Sequence, residues 1–224
     1  MISRFVKNLQ KKPSENLFNP WFDIDPEHDI SSDSPVIRKK QFEAYLNERR
    51  ERARYLFVAE ALGYQGGHFT GIAMTSERIL LGHQYDKYGV KPEHVFNGLN
   101  PARTSKRSVT HRGMSEPTAT IMWGALIELG IDPFEVVLWN AVPWHPYKPE
   151  KGLVSNRTPT RQELNAGLIH LQEFLRLFPG TKIVAVGRKC EESLSEIGVS
   201  YTGVRHPANG GAGKFRRQLK ELAG

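Results

Sequence analysis

A chain of 224 residues, 39% of them hydrophobic, can bury a full core as one compact α/β domain, and no apolar run approaches the ~18 residues of a membrane span. Its 31 lysines and arginines against 24 aspartates and glutamates leave a formal charge of +7, which favours a polyanionic partner. The single cysteine, Cys190, excludes a disulfide framework, a thiolate zinc site and a cysteine-ligated iron–sulfur cluster. With no signal-like apolar block near residue 1, the expectation is a cytoplasmic monomer that has no dealings with membranes.

Residues 1–34 mix Pro13, Pro20 and Pro26 with acids and scattered aromatics (Phe18, Trp21, Phe22), which reads as an irregular N-terminal arm packed on a domain of residues 35–224. Over 35–54, Val36, Tyr45 and Leu46 sit among Arg38, Lys39, Lys40, Arg49 and further arginines, the pattern of a surface helix with a solvated charged face. Tyr55-Leu56-Phe57-Val58 then forms an apolar run that reads as a buried strand and stops at Ala59-Glu60. Gly63, Gly66, Gly67 and Gly71 follow, with Phe69 among them, so the backbone there can take turns and approaches that side chains would block.

Residues 97–115 carry Arg103, Lys106, Arg107, His111 and Arg112 without one acid, an asymmetry that suits phosphate. Glu116-Pro117-Thr118 opens a helix, with proline in the first turn, Met122, Ala125 and Leu126 on its buried side, and Gly130 at its end. Val136-Val137-Leu138-Trp139 is a second buried strand ending at Asn140. Residues 159–178 have Leu164, Leu168, Leu171 and Leu175 at helical spacing. A third strand, Ile183 to Val186, ends at Gly187, and a short helix through Leu194 leads to a fourth at 201–204, which ends at Arg205-His206-Pro207. A last helix from about Gly213 buries Phe215, Leu219 and Leu222, and residues 198–220 again contain no acid.

Strands alternating with helices predict a single-domain three-layer α/β/α sandwich around a central four-stranded parallel sheet. Ligands of such sheets gather at the carboxyl ends of the strands, where this chain places Glu60, Asn140 and His206.

These junctions resemble the uracil-DNA glycosylase superfamily, in order, over roughly residues 54–222. Its iron–sulfur branch has Gly-Glu-Ala-Pro-Gly followed by Gly-x-Pro-Phe-x-Gly; here stand Ala59-Glu60-Ala61-Leu62-Gly63 and Gly66-Gly67-His68-Phe69-Thr70-Gly71. The superfamily's His-Pro-Ser or His-Pro-Ala stands as His206-Pro207-Ala208. The resemblance implies that Phe69 stacks on an extruded uracil, Asn140 reads its edge, His206 contacts O2, and Ala61 and Gly63 border the base. Glu60 and His206 would be catalytic, with uracil-containing DNA as the partner.

The chemistry agrees. An enzyme acting on one base must flip it out and hydrogen-bond its edge, and Asn offers both donor and acceptor. Cleaving the N-glycosidic bond leaves a cationic sugar and an anionic base, so a donor at O2 and a carboxylate near C1′ are useful, and no metal or cofactor is required. No lysine stands in the motifs, so the expected product is an abasic site without lyase chemistry. Arg103, Lys106, Arg107, Arg205, Asn209 and Lys214 are the expected DNA contacts.

The chain also departs from the superfamily. The best-known branch has an Asp where Ala61 stands and a thymine-blocking Tyr where Gly63 stands, the iron–sulfur branch has a second Glu where Gly66 stands, and the cluster cysteines are missing. Two other classes compete: a metal-dependent hydrolase using His145, His206 and Glu60, and a catalytically silent DNA-binding protein. Each residue also has a structural explanation alone, Glu60 as a paired strand-end carboxylate, Phe69 as core, Asn140 as a turn-former and His145 as an organiser of its proline-rich loop.

Overall fold

The computed structural model describes residues 1–223, with side chains at all of them but 86, 87 and 223. In chain order the elements are α1 (Ile2–Asn8), β1 (Leu17–Phe18), α2 (Ser34–Arg49), β2 (Tyr55–Ala61), single turns α3 (Gly67–Thr70), α4 (Glu77–Leu80) and α5 (Tyr85–Tyr88), then α6 (Pro117–Glu128), β3 (Val136–Val142), β4 (His145–Pro146), α7 (Arg161–Leu177), β5 (Lys182–Val186), α8 (Arg188–Glu196), β6 (Thr202–Val204) and α9 (Ala212–Ala223). The main sheet has the order β3-β2-β5-β6 and is parallel throughout, as its apolar runs predict; a small antiparallel pair joins β1 to β4.

The central strands are apolar on both faces because helices cover both: Leu56, Phe57 and Val58 of β2 and every residue of β3 are buried. The steps from β3 to β5 and from β5 to β6 run the same way across the sheet. Right-handed crossovers therefore put α7 and α8 on one face and α6 on the other, where α9 packs against α6. Thr160 and Glu163 form a capping box at the start of α7, and Arg157 clamps the same carboxylate through two bonds of 2.7 Å.

Two features differ from the sequence-based expectation. Residues 2–8 are helical, and Phe5 packs against Trp139 and Phe174 at ring distances of 5.5 and 5.4 Å. On α2, Arg38 and Arg49 are fully buried, not solvated. Arg38 pairs with Asp29 and donates to the Pro20 and Asp23 carbonyls, while Arg49 donates to the carbonyls of Tyr45, Val95 and Val136 and lies 3.9 Å from the Tyr45 ring centroid. A guanidinium has five donors in a plane, so it can satisfy loop carbonyls under a helix where water cannot reach.

Candidate active site

β2 continues one residue beyond Glu60 and β3 two beyond Asn140, while His206 stands two residues after β6. Asn140 is the register partner of Ala59, and paired residues of neighbouring strands point to the same face. Asn140 therefore faces the side opposite to Glu60. Trp139 stacking on Phe174 of α7, and the electrostatic coupling of Glu60 to Lys189 and Glu192 of α8, agree with that alternation.

A cleft of about 920 Å³ opens at the carboxyl end of the sheet. Glu60, Ala61, Gly63, Arg205, His206 and Asn209 line it. Phe69 and Asn140 do not; both are buried, Phe69 beside the His68 ring at 4.4 Å, and Asn140 with a side-chain oxygen that has no hydrogen-bond partner. One Glu60 carboxylate oxygen is likewise buried and unpartnered. Burial pushes the Glu60 pKa above its ordinary value, Lys189 pulls it back and Glu192 adds to the rise.

His206 is set by its own loop. The Ala208 N–H donates to His206 Nδ1 at 3.1 Å, so the proton of the neutral ring sits on Nε2. Burial, with Arg205 adjacent, holds the imidazole below its usual pKa and therefore uncharged near neutrality. The ring packs over Gly187, whose φ is 91° and where a Cβ would come within 3.0 Å of His206 Cβ. Glycine at 187 thus serves both a left-handed turn and a close approach.

His145 is fully buried and belongs to a hydrogen-bonded chain behind the cleft. Its Nδ1 meets His68 Nδ1 at 2.9 Å, its Nε2 meets the Ser155 carbonyl at 2.7 Å, and His68 Nε2 reaches Asp25 at 3.0 Å. Burial alone would raise Asp25, but its bonds to His68 and His28 hold it well below the carboxylate range. Burial, then the neighbouring His68, pushes His145 down to about 3. The chain fastens the N-terminal segment, α3 and β4 to one another. Among the described residues no group of three or more His, Cys, Asp or Glu is arranged to hold a metal ion, so His145, His206 and Glu60 do not form a ligand set.

The basic segment divides by role. Arg103 donates to the carbonyls of Ser105, Thr110 and His111, and Lys106 to those of Pro26 and Glu27. Their cations hold their own loop, while Arg107 and Arg112 are exposed. The loop is anchored on the buried carboxylate of Glu77, which accepts from the backbone N–H groups of Thr104, Ser105 and Met114 at 2.8, 2.9 and 3.1 Å and from the hydroxyls of Thr104 and Ser105. Arg205, Asn209 and Lys214 are exposed.

Sequence reasoning missed three residues of the cleft. Arg188 and Lys189, in the first turn of α8, add two exposed cations to its rim. Glu116, read only as the opener of α6, turns its carboxyl into the cleft wall. The available signal was position: it is the first acid after a long basic stretch.

Comparison with known proteins places this geometry in a lineage. The crystal structure of wild-type SMUG2 from Pedobacter heparinus matches with a TM-score of 0.60 over 99% of this chain and 96% of that chain, at 15% identity, which is a likeness of fold. No curated protein matches the chain in sequence. The family model described as the uracil DNA glycosylase superfamily matches residues 85–222, which include Asn140 and His206 and leave out the glycine loop after Glu60. With more than half of its length so matched, the chain belongs to the uracil DNA glycosylase superfamily.

Proposed function

We propose that the protein hydrolyses the N-glycosidic bond of uracil in DNA, releasing uracil and leaving an abasic site. The observation that carries this reading is the pairing, in one cleft, of a neutral His206 with its proton on Nε2 and an unpartnered Glu60 carboxylate. As the C1′–N1 bond breaks, its electrons move onto the base, and the Nε2–H donates to the O2 on which charge develops. No proton need leave the ring. Glu60, ionised, stabilises the cationic sugar and orients a water whose oxygen bonds to C1′; the water's proton passes through the carboxylate to solvent. Asn140 donates its amide N–H to O4 and Phe69 supplies a stacking face, so the base enters below the present floor of the cleft. Arg107, Arg112, Arg188, Lys189, Arg205 and Lys214 hold phosphates, while Arg103 and Lys106 serve DNA through the loop they brace.

Incubation with uracil-containing single- and double-stranded oligonucleotides in excess chelator, followed by alkali, should give strand cleavage at uracil. Intact strands, or cleavage lost to the chelator, would refute the reading. A binding protein without activity would retain the DNA and release no base.

The rim also predicts a substrate order. The segment after His206 carries Ala208, Asn209 and then glycines, and Asn209 sits in a left-handed conformation with φ 53°. It offers no large apolar wedge to fill a vacated stack. Unpairing and unstacking cost on the order of a few kcal/mol and least in single strands or mismatches. Single-turnover cleavage should therefore be faster on single-stranded and U·G substrates than on U·A at one salt concentration. Equal rates on all three, with Asn209→Gly also silent, would mean that another segment supplies the wedge.

A further inference from the structure

Glu116, like Glu60, is an acid of the cleft with a buried, unpartnered carboxyl oxygen. The residue, at the N-cap of α6, is half-buried as a whole, yet its Oε2 is fully buried and has no hydrogen-bond partner. Space has been cleared for it: a Cβ at Gly63 would lie 2.3 Å from Oε1, and one at Gly66 1.8 Å from Oε2. An acid in a purely structural position would find a cation or several N–H donors, as Glu77 and Glu163 do.

We infer that Glu116 binds the extruded base: in its acid form, the carboxyl donates O–H to a carbonyl oxygen of the base and accepts from the adjacent N–H. The inference rests on the function proposed above. A carboxylic acid presents a donor and an acceptor side by side, the complement of a lactam edge such as N3–H and O4 of uracil, whereas a carboxylate only accepts. The surroundings favour the acid. Burial alone raises its pKa to about 7. The ionisable groups that line the cleft with it are Glu60 of β2, Tyr64 in the loop that follows, Arg188 and Lys189 of α8, Arg157 before α7, and Arg205 with the neutral His206 after β6; none of them makes a hydrogen bond or ion pair with it. Glu60 is needed ionised and Glu116 protonated, so the two carboxyls divide the pH range between them, activity rising as Glu60 ionises and falling as Glu116 ionises near 7.

The test is single-turnover release of uracil from a single-stranded oligonucleotide over pH 5.5–8.5 by wild type, Glu116→Gln and Glu116→Ala, with enzyme concentration varied to separate binding from rate. Glu116→Ala should weaken productive binding about 10- to 100-fold, the worth of one strong hydrogen-bonded pair, with the smaller effect on the maximal rate. Glu116→Gln should work several-fold more slowly and lose the alkaline fall, since an amide does not titrate. Thermal unfolding gives a readout independent of activity. An acid whose folded pKa exceeds its unfolded one costs stability as pH rises from the unfolded value to the folded one, so Glu116→Gln should gain several degrees in Tm over wild type between pH 5 and 8. A wild type that releases uracil while Glu116→Ala matches it, or a Tm difference flat with pH, overturns the assignment and leaves the proposed function standing. A wild type that releases no uracil from any strand overturns both.

Discussion

Replacing His206 by alanine is expected to slow uracil release about 10²- to 10³-fold, the cost of removing one donor aimed at a developing oxyanion. Affinity for uracil-containing DNA should change little, because the Nε2–H bond strengthens only as the glycosidic bond breaks. The pH dependence carries a sign. Protonation of the ring needs a second N–H at Nδ1, where the Ala208 amide already donates, so acid breaks the bond that orients the ring. Burial and Arg205 hold the ring's pKa below its usual value, and wild-type activity should therefore survive below pH 6.5 before His206 charges. Single-turnover rates and binding isotherms on one oligonucleotide measure both effects. A His206→Ala enzyme within a few-fold of wild type would remove the histidine from the mechanism.

The largest stability effect should come from Glu77→Ala, remote from the chemistry. The substitution strips the acceptor from three backbone N–H groups and two hydroxyls, all buried at the root of the basic loop. An unsatisfied buried donor costs about 1–3 kcal/mol. Because some of these donors will recruit water, the expected loss is about 3–5 kcal/mol. Denaturant unfolding measures it directly. If the variant still folds, its loop will present Arg107 and Arg112 less firmly, and the slope of DNA affinity against salt should flatten. Unchanged unfolding would show that the loop holds without its carboxylate.

Much of the architecture was legible because its signals are local. Three of the four parallel strands contain apolar runs, and α7 has both leucine periodicity and a capping box. His206 was findable because a His-Pro pair follows a short strand. Other features depend on partners far away in sequence. The burial of Arg38 follows from Asp29 and the Pro20 carbonyl, and that of Arg49 from carbonyls at 95 and 136, so charge alone misplaces both. Glu116 has only its place after the acid-free stretch as a local mark, since its meaning comes from Gly63 and Gly66, whose missing side chains leave it room. The helix at residues 2–8 was legible after all: Ile2, Phe5, Val6 and Leu9 recur at helical spacing, but three prolines farther along the segment hid it.

That helix bears on the order in which the protein can assemble. Phe5 rests on Trp139 and Phe174, the Leu9 carbonyl accepts from the indole of Trp144, and Asn8 reaches Glu173 at 3.1 Å. During synthesis at roughly 5–20 residues per second, the segment leaves the ribosome roughly 7 to 34 seconds ahead of these partners. A seven-residue helix does not hold by itself in water. α1 also packs on the nearby α2, but the contacts of Phe5 with Trp139 and Phe174 wait until α7 has been made, and contacts so distant in sequence form slowly. That side of the N-terminal helix docks only once β3 and α7 are in place. Until then the Phe5 ring stays on a sticky segment of the nascent chain, of the kind that chaperones bind.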